Sequence, residues 1–246
     1  MISPNFFIGL PEDFNGKCKV YPPLVKEVLS DRYDAYRKLL TLSQEDIEDM
    51  YNEKKIEVDK FPTVIEYLLG NAYNDKKFEK ILMEAFEFFI KDEVAFLYEE
   101  KKILIGNLKK ELKRVKKVEE LVIIDENEFF DLQNIIRQSI GVDKVEKPNP
   151  NEHPKIRAMK AKARYRDKIK AKKGMGISLP TILSSICCMG IGITPLNIGE
   201  LSYCAVSELM SRYREKSKYE LDINSLLAGA DSKKIKPKDW IRNLED

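Results

Sequence analysis

The stretch EELVIIDENEFFDLQNIIRQSIGV, residues 119–142, predicts a strand followed directly by a helix. The run LVII is apolar and mostly β-branched, as is typical of a short strand. Asp125 suits an N-cap, and Glu128 three residues later completes a capping-box pattern. Gly141 suits the end of the helix. The apolar stripe of that helix consists of Phe129, Leu132, Ile135, Ile136 and Ile140.

The residues before this stretch predict more helices and two further strands. VAFLYEEKKILIG, residues 94–106, indicates two short strands on either side of residues 99–102. Apolar spacing and capping signals predict helices over 31–42, 43–51, 62–70 and 75–91. Helices that cover a small antiparallel sheet make residues 1–142 an α+β domain.

The second half of the chain is predicted to be entirely helical. Residues 143–154 are polar and contain three prolines, so we expect a linker there. Residues 155–246 then form the predicted helical domain. In it, Thr194-Pro195 resembles an N-cap followed by a first-turn proline, which predicts a helix to about Lys216 and a shorter one over 219–227. The fold class is therefore mainly α, with an α+β N-terminal and an all-α C-terminal domain.

The first predicted helix of the C-terminal domain is strongly basic. Residues 155–173 contain ten Lys or Arg and one acidic residue, which leaves 33 basic and 40 acidic residues, a net charge of −7, in the rest of the chain. Such a helix can be a solvated connection, contact an acidic partner or bind nucleic-acid phosphates. The candidate contacts are Lys155, Arg157, Lys160, Lys162, Arg164, Arg166, Lys168 and Lys170.

The 25 residues 175–199 carry no charge. That length would be enough for a membrane-spanning helix. However, prolines, glycines and hydroxyl side chains divide the run into pieces too short to cross the hydrocarbon core. The favoured interpretation is a pair of helices that are buried or face a partner, with a membrane-associated segment as a rival. The candidate apolar partner-binding residues are Leu179, Ile182, Leu183, Ile186, Met189, Ile191, Ile193 and Leu196.

The sequence offers no catalytic constellation. It has one histidine and no phosphate-binding or nucleophile-elbow motif, so we expect neither an enzyme nor a cofactor. The four cysteines form no C-x-x-C pair, so no metal site is predicted. We expect their thiols to be buried and reduced, as is usual in a cytoplasm. The N-terminus lacks the features of a secretory signal. The expected location is the cytoplasm.

The C-terminal block resembles a known group of proteins. Its segments are KAKARYRDKIKAKKG, ISLPTILSSICCMGIGITPLNIGELSYCAVSELMSRY and KYELDINSLLAGADSKKIKPKDWIRNL, and the most specific part is LLAGADSKKIKPKDWIRNL. This order is similar to proteins encoded in the tail-gene region of phages and prophages of low-GC Gram-positive bacteria.

The resemblance implies a non-enzymatic tail assembly chaperone or adaptor in the cytoplasm of the bacterial host. Such a chaperone binds the long tape-measure protein or another tail protein, and self-association is a further expectation. The alternatives are a nucleic-acid-binding phage protein that uses residues 155–173, and a minor structural component of the virion.

Overall fold

In the computed structural model, the described residues are 3–56, 58–106, 122–146, 156, 159, 163, 166, 178–231 and 235–241. Over these ranges the chain is mainly α with two small antiparallel sheets, which confirms the predicted fold class. The helices are α1 (Pro4–Phe7), α2 (Val25–Val28), α3 (Tyr33–Leu40), α4 (Gln44–Glu53), α5 (Val64–Asn74), α6 (Lys76–Ile90), α7 (Glu126–Ser139), α8 (Leu179–Cys187) and α9 (Tyr203–Leu227), with a 3₁₀ turn at Ile198–Glu200. The strands are β1 (Glu12–Phe14), β2 (Cys18–Val20), β3 (Val94–Leu97), β4 (Lys102–Ile105) and β5 (Val122–Ile124).

Both sheets are antiparallel. Strands β1 and β2 form a hairpin, and β3, β4 and β5 form a three-stranded sheet in that order. In the larger sheet Val94 pairs with Ile105, and Ile103 pairs with Ile124. All four of these side chains are buried, so one face of the sheet belongs to the core. The three strands predicted from sequence are confirmed.

Local capping explains where several helices begin. Ser43, Thr63 and Asp125 each accept a hydrogen bond from the backbone N–H three residues on. In each case the side chain at that third position accepts from the cap's own backbone N–H, which completes a capping box. Asp75 caps α6 through the N–H of Lys77. The predicted starts at residues 43, 75 and 125 are thus confirmed.

The core of the N-terminal part of the chain is built around α6. Its buried face includes Leu82, Phe86 and Phe89, and it packs against α3 and α5. The Phe86 ring lies 6.1 Å from the Phe129 ring of α7, between centroids, so α7 closes the same core. The stripe predicted for α7 therefore packs against the buried face of α6.

The packing divides the chain into residues 1–144 with 199–246, and residues 145–198. This differs from the expected partition into 1–142, 143–154 and 155–246. The reason is that backbone groups just before α9 pair with those around α2. Val25 N–H donates to Leu201 O at 2.9 Å, and Tyr203 N–H donates to Pro23 O at 2.8 Å. Helix α9 is thereby fixed to the N-terminal part of the chain.

Three helix predictions need correction. No helix begins at Thr194-Pro195: these residues lie in a turn, and the long helix begins after Ser202, whose buried side chain accepts from Ala205 N–H at 3.3 Å. From there it continues unbroken to Leu227, so the separate helix predicted over 219–227 is part of α9. The helix predicted over 62–70 begins after Thr63 and continues through Gly70 to Asn74.

Candidate partner-binding surface

Helix α8 begins the uncharged surface. Ser178 caps it by accepting from Thr181 N–H at 3.4 Å, and Pro180 occupies its first turn, where a missing N–H costs nothing. The hydroxyls of Ser184 and Ser185 both donate to Thr181 O, at 3.1 and 2.8 Å. Since these hydroxyls are satisfied within the helix, they need no partner from outside.

A fixed turn follows α8. Gly190 and Gly192 adopt φ of 69° and 79°, which releases the chain from helical geometry. Asn197 then closes the turn, because its Oδ1 accepts from Thr194 N–H at 2.7 Å and its Nδ2 donates to Gly192 O at 3.0 Å. In sequence, Leu196 lies between Thr194 and Asn197, which these hydrogen bonds connect. The sequence does not reveal this role of Asn197, because Thr194-Pro195 has the same local signature in a helix start and in a turn.

The turn presents Leu196 to solvent. Its side chain is 96% exposed, and Ile191 is 52% exposed. Single exposed apolar residues are ordinary, but a leucine held at the tip of a hydrogen-bonded turn is an ordered apolar contact point.

The structure separates the eight predicted apolar residues into three groups. Ile186 is fully buried, so it cannot belong to the accessible surface. Ile191 and Leu196 are exposed, and the remaining five are half-buried, namely Leu179, Ile182, Leu183, Met189 and Ile193. Their role as partner contacts stays a prediction, now without Ile186.

Four positions of the basic segment are described, and all four are helical and exposed. They are Ile156, Met159, Ala163 and Arg166. Of the eight basic residues predicted as contacts, Arg166 is thus exposed. The others, Lys155, Arg157, Lys160, Lys162, Arg164, Lys168 and Lys170, lie outside the described residues.

The cysteine environments differ along the chain. Burial raises the pKa of the Cys18 thiol to about 12, and burial also raises the pKa of the Cys204 thiol. Both are therefore unreactive thiols at neutral pH. Cys188 is exposed. Across the described ranges, no group of three or more His, Cys, Asp or Glu side chains is arranged to hold a metal ion.

Membrane insertion can be judged from the helices themselves. Among the residues that the structure describes, none of the helices is both long enough and apolar enough to cross a bilayer.

The architecture is that of a mainly α protein with small sheets and an exposed uncharged turn. Residues 168–245 match the family described as the YomV second domain, a match that covers less than half of the chain and includes both α8 and α9. YomV is encoded by phages or prophages, and the match supports a phage origin for this chain. No curated protein matches the chain, and no solved structure matches it.

Proposed function

We propose that this chain is a non-enzymatic assembly chaperone or adaptor of phage tails that binds the tape-measure protein. The observation that carries the proposal is the exposed apolar turn around Leu196, within the stretch that matches a phage protein family. The half-buried residues of α8 and the exposed Ile191 extend this surface along the chain.

The physical basis is apolar burial on binding. Covering a leucine or isoleucine side chain contributes roughly 1.5–3 kcal/mol, and a helical client can cover several such side chains at once. Because Asn197 and Thr194 hold the turn by hydrogen bonds, Leu196 loses little conformational freedom when it is covered. An uncharged surface also suits a client whose own surface is apolar before assembly.

Co-expression with the tape-measure protein of the same phage tests the proposal. We expect the wild-type chain to keep that protein in the soluble fraction and to co-purify with it. Leu196→Lys and Ile191→Lys should abolish both effects, because each places a charge where an apolar client side chain must pack.

Ile8→Lys is the matched control, since Ile8 is also an exposed isoleucine but lies in the N-terminal segment. It should retain the client. If Leu196→Lys and Ile191→Lys fold normally and still retain the client, the proposed surface is wrong.

The alternative functions have separate tests. A nucleic-acid-binding protein that uses residues 155–173 should bind duplex DNA in a salt-dependent way. The logarithm of its association constant should fall linearly with the logarithm of the salt concentration, with a slope of about −0.9 for each neutralised phosphate. Arg166→Glu should then weaken binding, since Arg166 is exposed. We expect only weak binding that is lost near physiological salt. A minor virion component should instead be found in purified particles, where an assembly chaperone should be absent.

A further inference from the structure

The connection between β1 and β2 contains the single Asn-Gly pair of the sequence, Asn15-Gly16. Both residues are exposed to water. In such a pair the backbone nitrogen of the glycine can attack the side-chain carbonyl of the asparagine, and glycine has no Cβ to obstruct that approach. The pair is therefore a candidate site for spontaneous deamidation.

The reaction uses only groups of this pair and water. A bond forms between Gly16 N and Asn15 Cγ, and the bond between Asn15 Cγ and Nδ2 breaks. The amide nitrogen leaves as ammonia and takes the proton of the Gly16 N–H with it, so a five-membered succinimide remains. Water then opens this ring at either carbonyl and gives aspartate or isoaspartate at position 15. In isoaspartate the main chain runs through the former side chain and is longer by a methylene group.

The folded hairpin holds this pair in a two-residue turn. Asn15 and Gly16 have φ of 53° and 69°, and Lys17 N–H donates to Phe14 O at 2.8 Å, which is the arrangement of a type I′ turn. Asparagine and glycine are the residues that adopt this left-handed backbone most readily. The pair is thus well suited to the hairpin that it connects.

The same turn prevents the ring from closing. Closure requires Asn15 Cβ and Gly16 N to be nearly eclipsed about the Asn15 Cα–C bond. In the left-handed region ψ is roughly +30 to +60°, so these two atoms lie on nearly opposite sides of that bond. The Gly16 nitrogen can therefore reach Asn15 Cγ only after the turn has opened.

Asp13 restrains the attacking nitrogen directly. Its Oδ2 accepts a hydrogen bond from Gly16 N–H at 2.6 Å. Hydrogen bonds to a carboxylate are stronger than those between neutral groups. Because the nitrogen attacks after losing this proton, the contact opposes the reaction as well as the rotation that would precede it.

The two strands fix the turn to the rest of the fold. Phe14 and Cys18, which flank the turn, are both buried. Lys17 Nζ donates to Ile123 O at 3.0 Å and also pairs with Glu128 at the start of α7. Opening the turn widely enough for ring closure therefore requires the hairpin to leave these contacts.

We propose that Asn15 is a deamidation site that the folded β1–β2 hairpin protects, with Asp13 as the residue that restrains it. Asn15 loses its amide when the hairpin opens. Isoaspartate then lengthens the main chain within the turn, so the hydrogen bond between Lys17 N–H and Phe14 O does not re-form. The modification makes an opening of this hairpin irreversible.

Incubation of the full chain at mildly alkaline pH, in buffer and in guanidinium chloride, tests the proposal. Peptide mapping by mass spectrometry measures the loss of the Asn15 amide. We expect the folded wild type to lose it at least about tenfold more slowly than the unfolded chain. Folded Asp13→Ala should lose it about tenfold faster than the folded wild type, because a hydrogen bond to a charged group is removed. In guanidinium chloride the two chains should react at the same rate.

Lys19→Ala is the matched control. Lys19 lies opposite Asp13 in the hairpin and is exposed, so this variant removes a charge next to the turn and keeps the carboxylate on Gly16 N–H. It should react like the wild type, and far-UV circular dichroism verifies that each variant is folded. Equal rates for the wild type in buffer and in guanidinium chloride would overturn the proposed protection. A folded Asp13→Ala chain that reacts no faster than the wild type would overturn the role of Asp13.

Discussion

Gly141→Ala should lower the free energy of unfolding by about 2 kcal/mol, because Gly141 lies where α7 ends against α9. Its φ of 69° is in the left-handed region, which costs an alanine about 1–2 kcal/mol. An added Cβ would also lie 3.3 Å from Ser207 Cβ and 3.7 Å from Cys204 Cα, a crowding that costs about 1 kcal/mol or more. The loss of glycine's freedom in the unfolded chain offsets about 0.4–1 kcal/mol of this.

Urea unfolding followed by circular dichroism measures the change, and two further variants separate its causes. Gly141→Asn adds the same Cβ, but asparagine tolerates left-handed backbone, so it should cost less than alanine. Ser207→Gly removes the atom that the new Cβ meets. In the Ser207→Gly background, Gly141→Ala should lower the free energy of unfolding only by the cost of the left-handed backbone. The two substitutions should therefore show a coupling free energy of about 0.5–1 kcal/mol. An equal cost in both backgrounds would show that α7 does not approach α9 as described.

Three further predictions test burial, a buried cation and an acid-side titration. Ile186→Lys should lower the free energy of unfolding by about 3–5 kcal/mol, because Ile186 is fully buried. Leu196→Lys should leave the Tm within about 1 °C of the wild type, because Leu196 is exposed. Equal Tm values for the two variants would contradict this difference in burial. Arg137→Met should lower the free energy of unfolding by about 2 kcal/mol, because the buried guanidinium donates to Thr41 O at the end of α3. An unchanged midpoint of urea unfolding would refute that role. The Tyr98 hydroxyl donates to Glu79 and holds the pKa of that carboxyl below its usual value. The ionised Glu79 therefore stabilises the fold at a pH above the ordinary pKa of glutamate, and this contribution is lost as the pH falls through the lowered pKa of the folded state. Urea midpoints from pH 7 down to about 3 should therefore fall more steeply in the wild type than in Glu79→Gln, and parallel profiles would exclude this contribution.

Features that depend on neighbouring residues in sequence could be predicted. A capping box is complete within four residues, so Ser43 and Asp125 determine their helix starts almost independently of the rest of the chain. The strands Val94–Leu97 and Lys102–Ile105 were predictable for the same reason, because a four-residue connection brings them together as a hairpin. Apolar spacing likewise identified the buried face of α7.

The division into units could not be predicted, because it depends on contacts between distant residues. Leu24 forms an isolated antiparallel bridge with Ser202, and Cys204 Sγ donates to Phe6 O at 3.1 Å. Neither partner of these pairs carries a local signal for the other. The proline-rich linker predicted at 143–154 is a local feature of composition, and composition does not determine which segment returns to the first unit.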